Sequence, residues 1–301
     1  MKKRNVDCVV VTYNRLDLLK ECVQAVENQT YPVSHFFVID NCSTDNTWDY
    51  LRSIKNKKII PIRLNKNLGG AGGFNAGLKA FINKSLSDYV WIMDDDTIPS
   101  PTALEELIKK NNVSPKLGFL CSNVRWKDKS VAVMNIPSPS KDWNTYSEQG
   151  VTKVNAASFV SIIFSREVVL KVGYPITDFF IWGDDVEYTL RITNDYNLDG
   201  LMVNNSLVEH KIKNNISTDL IQERSLGRIK RYYFAQRNNI FCLRRHSSKK
   251  EVFKATIRQG VKVPIQVLVK AQDHRIYRAW VSIKGTVAGL FFKPKIEKVE
   301  K

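Results

Sequence analysis

Short apolar runs recur through the first hundred residues, at 8–11, 35–39, 59–64 and 89–93, each closed by polar residues. Runs this short and this apolar predict strands buried on both faces. Between the first two, Leu16, Leu19, Cys22, Val23 and Val26 fall at helical spacing, and residues 74–82 read as another helix. Strands alternating with helices require crossover connections, which predicts an open α/β fold with a parallel sheet covered by helices on both faces. Beyond residue 117 the pattern is mixed. Strands are expected at 117–122, 156–165 and 201–210 and a helix at 185–196. The Pro and Ser residues of 138–142 signal a loop, either a cover over substrate or a plain surface excursion. No internal repeat is visible.

The polar residues that close these strands share a consequence of topology. Thr12, Tyr13, Asn14 and Arg15 follow the first run, Asp40 and Asn41 the second, Asn65, Lys66 and Asn67 the third, and Asp94, Asp95 and Asp96 the fourth. Ligands of open parallel sheets bind beyond the carboxyl ends of the strands, so these groups are expected on one rim, as one site.

Composition is that of a globular chain, with 43% hydrophobic and 25% charged residues over 301 positions, long enough for one large domain or two. Charge adds more. Up to His210, 24 Lys and Arg balance 24 Asp and Glu; from Lys211 onward the count is 22 against 6, so the net charge of +16 belongs to the last third. A one-sided basic segment points to an anionic partner, a membrane surface or nucleic acid. Within it, Val252, Phe253, Ile257, Val261 and Ile265 recur at roughly helical spacing, interrupted by Gly260 and Pro264, and Trp280, Leu290, Phe291 and Phe292 stand beside Lys284 and Lys293. That pattern fits an interfacial anchor on an anionic membrane, and equally a helical subdomain packed on the core with a solvated basic face. The two are compatible.

Five cysteines (Cys8, Cys22, Cys42, Cys121, Cys242) are odd in number and form no C-x-x-C pair, so reduced, buried side chains are expected rather than a zinc knuckle or a disulfide framework. The basic start Met1, Lys2, Lys3, Arg4 is followed by an apolar stretch broken at Asp7, too short for a leader, and no run reaches the ~18 apolar residues of a spanning helix. A cytoplasmic protein, peripheral on the inner face of the membrane, is the expectation.

Four motifs carry candidate chemistry. Asp94, Asp95 and Asp96 repel one another unless a cation sits among them. In extended chain Asp94 and Asp96 would point the same way and share a divalent ion while Asp95 faces elsewhere; a solvated acidic loop is the other reading. Gly69, Gly70, Gly72 and Gly73 after Asn67 and Leu68 expose backbone amides ahead of a helix, suited to phosphate, or form a bare turn. Asn75 stands where a dinucleotide fingerprint needs its third glycine, and no G-K-[ST] follows, so neither a Rossmann motif nor a P-loop is present. Trp182, Gly183, Asp184, Asp185 and Glu187 join an aromatic face to three carboxylates at a helix start. They serve as a cap, or as a general base beside a sugar-stacking ring. His210 closes a strand as a structural histidine or as a third metal ligand.

Taken together, Val11 to Arg15, Val38 to Asp45, Asn67 to Phe74, Met93 to Thr97 and Trp182 to Glu187 resemble, in order and spacing, the inverting nucleotide-sugar glycosyltransferases of family two, over about residues 5 to 240. The Gly-rich stretch running into Phe74, with Trp-x-Asp-Asp-x-Glu, is most similar to the galactofuranosyltransferase branch; rhamnosyltransferases share much of the pattern. The resemblance implies a single nucleotide-binding α/β domain of the GT-A type with a mostly parallel open sheet, here residues 1–215, and a basic C-terminal helical region, 216–301. It implies that Thr12, Tyr13 and Arg15 line the nucleotide site and that Asp40 accepts from the uracil or thymine ring. Asn67, Gly69, Gly70 and Gly72 would border nucleotide and sugar, and Asp94 and Asp95 belong to the donor site. Asp94, Asp96 and His210 would hold Mn or Mg. Asp185 corresponds to the general base, with Trp182, Asp184 and Glu187 about the acceptor. Gly183 separates the Trp from the Asp pair where the branch places Trp directly before it, so the base falls on Asp185 or slips to Asp184.

The implied reaction moves a sugar, UDP-galactofuranose being the first choice of donor and dTDP-rhamnose the second, onto a hydroxyl of a lipid-linked glycan for surface polysaccharide. Two rivals differ in class. A nucleic-acid-binding protein would leave the two carboxylate clusters unexplained, since they repel phosphate backbones. A non-catalytic sugar-nucleotide sensor would have no use for an intact base and metal set.

Overall fold

The computed structural model describes residues 4–215 and 217–300; the basic residues 1–3, and residues 216 and 301 of the expected C-terminal region, lie outside the described residues. In chain order the elements are β1 (Val6–Thr12), α1 (Leu16–Glu27), β2 (Phe36–Asp40), α2 (Thr47–Ser53), β3 (Ile59–Arg63), α3 (Gly69–Lys84) and β4 (Tyr89–Asp94). There follow β5 (Thr97–Pro99), α4 (Ala103–Lys109), β6 (Leu117–Arg125), β7 (Ser138–Pro139), β8 (Val151–Ala156), β9 (Ile162–Ser165), α5 (Arg166–Val172), α6 (Asp184–Leu190) and β10 (Asp199–His210). Helices α7 (Leu226–His246), α8 (Lys249–Ile257), α9 (Val263–Lys270) and α10 (Arg275–Phe291) complete the chain, with π-helical turns at Arg191–Asp195 and Arg258–Lys262.

One sheet runs in the order β3-β2-β1-β4-β9-β6-β10-β8-β7, with β5 beside β10. The first four strands and the β6–β10 pair are parallel, while β9, β8, β7 and β5 pair antiparallel. The sheet is therefore mixed. The expected strand at 156–165 is two strands, β8 and β9, separated by a five-residue excursion, and β9 inserts between β4 and β6 where the crossover pattern would have placed a parallel neighbour. The expected helix 185–196 is α6 running into a π turn, and the loop at 138–142 contributes the edge strand β7.

Alternation along β1 separates two cores. Val6, Cys8 and Val10 pack with Leu19, Cys22 and Leu104 of α1 and α4; Val9 and Val11 pack on the other face with Phe74, Leu78 and Phe81 of α3. Glycine sets the α3 spacing: a Cβ at Gly73 or Gly77 would stand 2.3 Å from a methyl of Val11 or Val9. The helix lies closer to β1 than any side chain would permit.

The C-terminal helices form their own cluster of Ile229, Tyr232, Val267 and Val281, and α10 lies along α7 through Ser282, Gly285 and Gly289. After α10 the chain returns to the sheet domain: Lys79 pairs with Glu297, and the Tyr174 amide donates to the Glu297 carbonyl at 3.0 Å. Among the described residues no helix is long and apolar enough to cross a membrane. All five cysteines are free, and four of them are buried.

Candidate active site

The register of four strands builds the rim. Val11 of β1 pairs with Asp94 of β4, so Thr12 stands beside the triplet and its hydroxyl donates to Asp95 Oδ2 at 2.7 Å. Thr97 of β5 pairs with His210 of β10, which carries the imidazole to 3.2 Å from Asp96 Oδ1. Asp95 and Asp96 lie in the turn between β4 and β5. The premise that Asp94 and Asp96 project together from extended chain while Asp95 faces elsewhere is thereby corrected. Because the chain turns, the adjacent pair converges, and Arg15 Nη1 donates to Asp96 Oδ2 at 2.6 Å and to Asp95 Oδ1 at 3.3 Å.

The carboxylates respond differently to this setting. Burial pushes Asp94 well above the usual range, the charges of Asp96 and Asp95 add to it, Arg15 opposes, and Asp184 contributes a further rise. Burial likewise raises Asp95, to about 6, against Arg15 and the Thr12 hydrogen bond. Asp96 meets the same burial, but His210 and Arg15 outweigh it and hold the group below the usual value. Asp96 is thus the settled anion of the three. The effect of Asp184 on Asp94 brings the two acidic motifs, far apart in sequence, into one field.

A divalent ion can be tested against this donor set. Asn135 Oδ1 lies 2.7 Å from His210 Nδ1, and its amide nitrogen donates to Ser158 at 3.0 Å, so the Nδ1 proton of His210 points to Asn135. His210 Nε2 then faces Asp96 Oδ1 at 3.2 Å, a buried oxygen that no hydrogen bond satisfies. An imidazole nitrogen and a carboxylate oxygen at that distance can share a cation or a proton. Asp96 and His210 fit a metal. Among the described residues no three His, Cys, Asp or Glu side chains converge as an ion-holding group, so Asp94 is not gathered with that pair.

Asp40 ends β2 fully buried; Oδ1 accepts from the Ser43 amide at 2.9 Å, while Oδ2 lies 3.5 Å from Arg63 Nε without a hydrogen bond. Tyr13 is exposed on the same rim. Asn67 Oδ1 accepts from the Gly69 amide, and Asn41, expected on this rim beside Asp40, accepts from the Leu68 amide and donates to the Gly69 carbonyl, both at 2.8 Å. The glycines form the first turn of α3 rather than a stretch ahead of it, and two of them are closely packed: a Cβ on Gly72 would meet Leu68 at 2.3 Å, and one on Gly69, at φ +71°, would meet the Phe180 carbonyl oxygen at 1.8 Å. Close packing claims Gly69 and Gly72. Only Gly70 has open space beside it.

The segment before α6 is bent hard. Phe180 and Trp182 hold φ of 63° and 62°, and Gly183, at 88°, caps the helix. Non-glycine residues in that region need outside support. Asn238 of α7 supplies it, donating to the carbonyls of Phe179, Ile181 and Trp182 at 3.0, 3.1 and 2.8 Å, and Arg237 donates to the Asp178 and Phe179 carbonyls. Nothing in the sequence marks these two, since they read as part of a basic, solvated helix. Burial raises both Asp184 and Asp185, the charge of Asp185 adding to the rise of Asp184, and the Val186 amide donates to Asp185 Oδ1 at 2.7 Å. Glu187 is corrected: it is fully buried, and both its oxygens are held by Arg191, whose Nη1 also donates to the Val172 and Tyr174 carbonyls. Held by Arg191 inside the core, it is not open to an acceptor.

Comparison with known proteins agrees with this geometry. The chain is 28% identical over 189 residues to the poly-beta-1,6-N-acetyl-D-glucosamine synthase of Staphylococcus aureus, 61% of this chain but 45% of the synthase, so it spans less than half that relative's length. It is 26% identical over 219 residues to an uncharacterized glycosyltransferase of Methanocaldococcus jannaschii, covering 71% of this chain and 73% of that one. In fold it is similar to a mannosyltransferase of Pyrobaculum calidifontis solved with GDP-Man and Mn2+, with a TM-score of 0.56 at 15% identity over 97% of this chain and 87% of that one. The Glycosyl transferase family 2 model matches residues 7–169, more than half of the chain and all of the rim from β1 to β5, and the chain therefore belongs to glycosyl transferase family 2.

Proposed function

We propose that this protein is a metal-dependent inverting glycosyltransferase that moves a hexosyl group from a nucleotide sugar to a hydroxyl of a glycan. UDP-galactofuranose is the first choice of donor, dTDP-rhamnose the second, and the acceptor a lipid-linked glycan in surface polysaccharide synthesis. Residues 1–215 act as the catalytic unit and 216–301 as a basic helical region. The observation that carries this reading is the meeting of His210 with Asp96, at 3.2 Å, on the rim where Thr12, Arg15 and Asp40 also end.

In this reading Asp96 and His210 hold Mn or Mg, which when bound supplies positive charge for the diphosphate leaving group. Arg15 stands ready to exchange its carboxylate partners for phosphate oxygens, as a guanidinium can. Asp40 Oδ2, free of hydrogen bonds, accepts from the base ring. Asp185 takes the proton of the attacking hydroxyl, and its raised affinity for protons suits a general base. Asp184, the alternative base, keeps Asp185 company in burial, and Trp182 offers a face to a sugar.

The basic region supports attachment to an anionic membrane. Ile276, Trp280, Ile283, Val287 and Phe291 recur every three or four residues along α10, all exposed, Ile276 by 81% and Phe291 by 75%, opposite the Ser282 and Gly285 face packed on α7. Lys284 and Lys293 flank this stripe, and Phe253, Ile265 and Val269 are exposed on α8 and α9. An apolar outer stripe edged by lysines matches the interface of an anionic bilayer. Phe292, expected in the anchor, instead packs inward against Phe179 and Phe241.

The test is a panel of UDP- and dTDP-sugars offered with Mn2+, with nucleotide release as the readout. Release from UDP-galactofuranose that stops on chelation supports the reading. No release from any donor, with or without metal, overturns it.

A further inference from the structure

A cavity of about 480 Å3 opens directly beside the catalytic turn. One wall is Trp182, Gly183 and Val186, the residues that bracket Asp184 and Asp185; the other is built by α7, the π turn Arg258–Lys262 and α9. Every lining residue lies beyond residue 169, where the match to the family model ends.

Its chemistry is specific. Two aromatic rings, Trp182 and Tyr232, meet edge to face at 5.2 Å, and four carboxamides, Gln236, Asn239, Gln259 and Gln266, stand among apolar side chains such as Leu220, Ile221 and Val263, with Asp219 and Arg258 the charged groups. Carboxamides donate and accept at once, as sugar hydroxyls do, and aromatic faces cover the apolar side of a sugar ring. A diphosphate would call for more cations, and an acyl chain for a wall without amides.

Two atoms strengthen the case. Tyr232 Oη and Gln259 Oε1 belong to side chains only 4% exposed, and neither has a hydrogen-bond partner. Buried polar atoms are rarely left unpaired, and each costs stability until something satisfies it. Gln259 sits in a π-helical turn, a distortion that recurs at functional sites. Helix α7 ties the site together, since Asn238 clamps the strained turn and Tyr232, Gln236 and Asn239 on the same helix wall the cavity.

We infer that this cavity binds a neutral saccharide, the sugar units of the acceptor that precede the reacting hydroxyl, with Tyr232 and Gln259 deciding which saccharide is held. The inference rests on the transferase reading above, and the experiment separates the two. The full chain is titrated by calorimetry with octyl disaccharides ending in galactofuranose, galactopyranose, glucose or rhamnose, and separately with UDP. Wild type is expected to bind at least one glycoside saturably. Tyr232→Phe and Gln259→Leu, which remove the hydroxyl and the amide while nearly conserving volume, should each weaken that binding about tenfold and leave UDP affinity unchanged. Should Gln259→Leu lose UDP binding as well, Tyr232→Phe decides alone. Failure of every glycoside to bind, or binding indifferent to the deciding variants, overturns the inference. Absence of nucleotide release from all donors would instead sink the transferase reading, while glycoside binding still stands or falls on this titration.

Discussion

The carbonyl oxygen of Phe180 occupies the place a side chain on Gly69 would need, and it also accepts from the Ala71 amide at 3.2 Å. The start of α3 is thereby locked to the turn that presents Asp184 and Asp185. Gly69→Ala should cost about 2–4 kcal/mol, from a left-handed φ and a backbone clash together. Gly70→Ala, with open space beside it, should change stability by less than about 1 kcal/mol. Urea unfolding of both compares them; equal losses would refute the interlock.

Asn135 holds His210 from behind while Asp96 faces it, the arrangement of a metal ligand oriented by an outer partner. Mn2+ should raise the Tm of wild type and have no effect on that of His210→Ala or Asp96→Asn. Asn135→Ala should weaken apparent Mn2+ affinity about 10–100-fold. A full Mn2+ response in His210→Ala would remove that residue from the site.

Asp185→Asn should lower kcat by about 10²–10⁴ with the KM for donor unchanged, as expected when a base is lost and donor contacts are kept. Comparison with Asp184→Asn decides between the two bases. If Asp185→Asn turns over normally, the role passes to Asp184.

Burial sets a pH dependence at Asp184. Its folded value lies above the unfolded one of about 4, so the protonated form favours folding, and ionisation destabilises increasingly as pH rises through the folded value. Asp184→Asn removes that penalty. The variant should be more stable than wild type at about pH 8, and the difference should vanish by about pH 4, measured by urea unfolding at both. A gain that persists unchanged in acid would contradict the burial argument.

Trp280→Glu with Phe291→Glu should abolish flotation with phosphatidylglycerol vesicles while leaving nucleotide release intact. Wild type should bind phosphatidylcholine vesicles weakly and release anionic ones in part at about 0.5 M salt. Undiminished flotation of the double variant would place the contact elsewhere.

Hydrophobic patterning determined the strand and helix series of the first hundred residues and the rim on which Thr12, Asp40 and the Asp triplet end, and composition determined the charge division at His210. Those features are local: a period of two or 3.6 residues, or a polar residue closing an apolar run, is visible without any partner. Tertiary structure alone decided the rest. The insertion of β9, the turn that sends Asp95 and Asp96 to the same Arg15, the burial of Glu187 on Arg191 and the use of Gly69 and Gly72 for packing depend on which neighbour occupies the space. So do Asn135, Arg237 and Asn238, ordinary polar residues in sequence, whose roles arise because the fold sets them against a buried imidazole and the carbonyls of a strained turn.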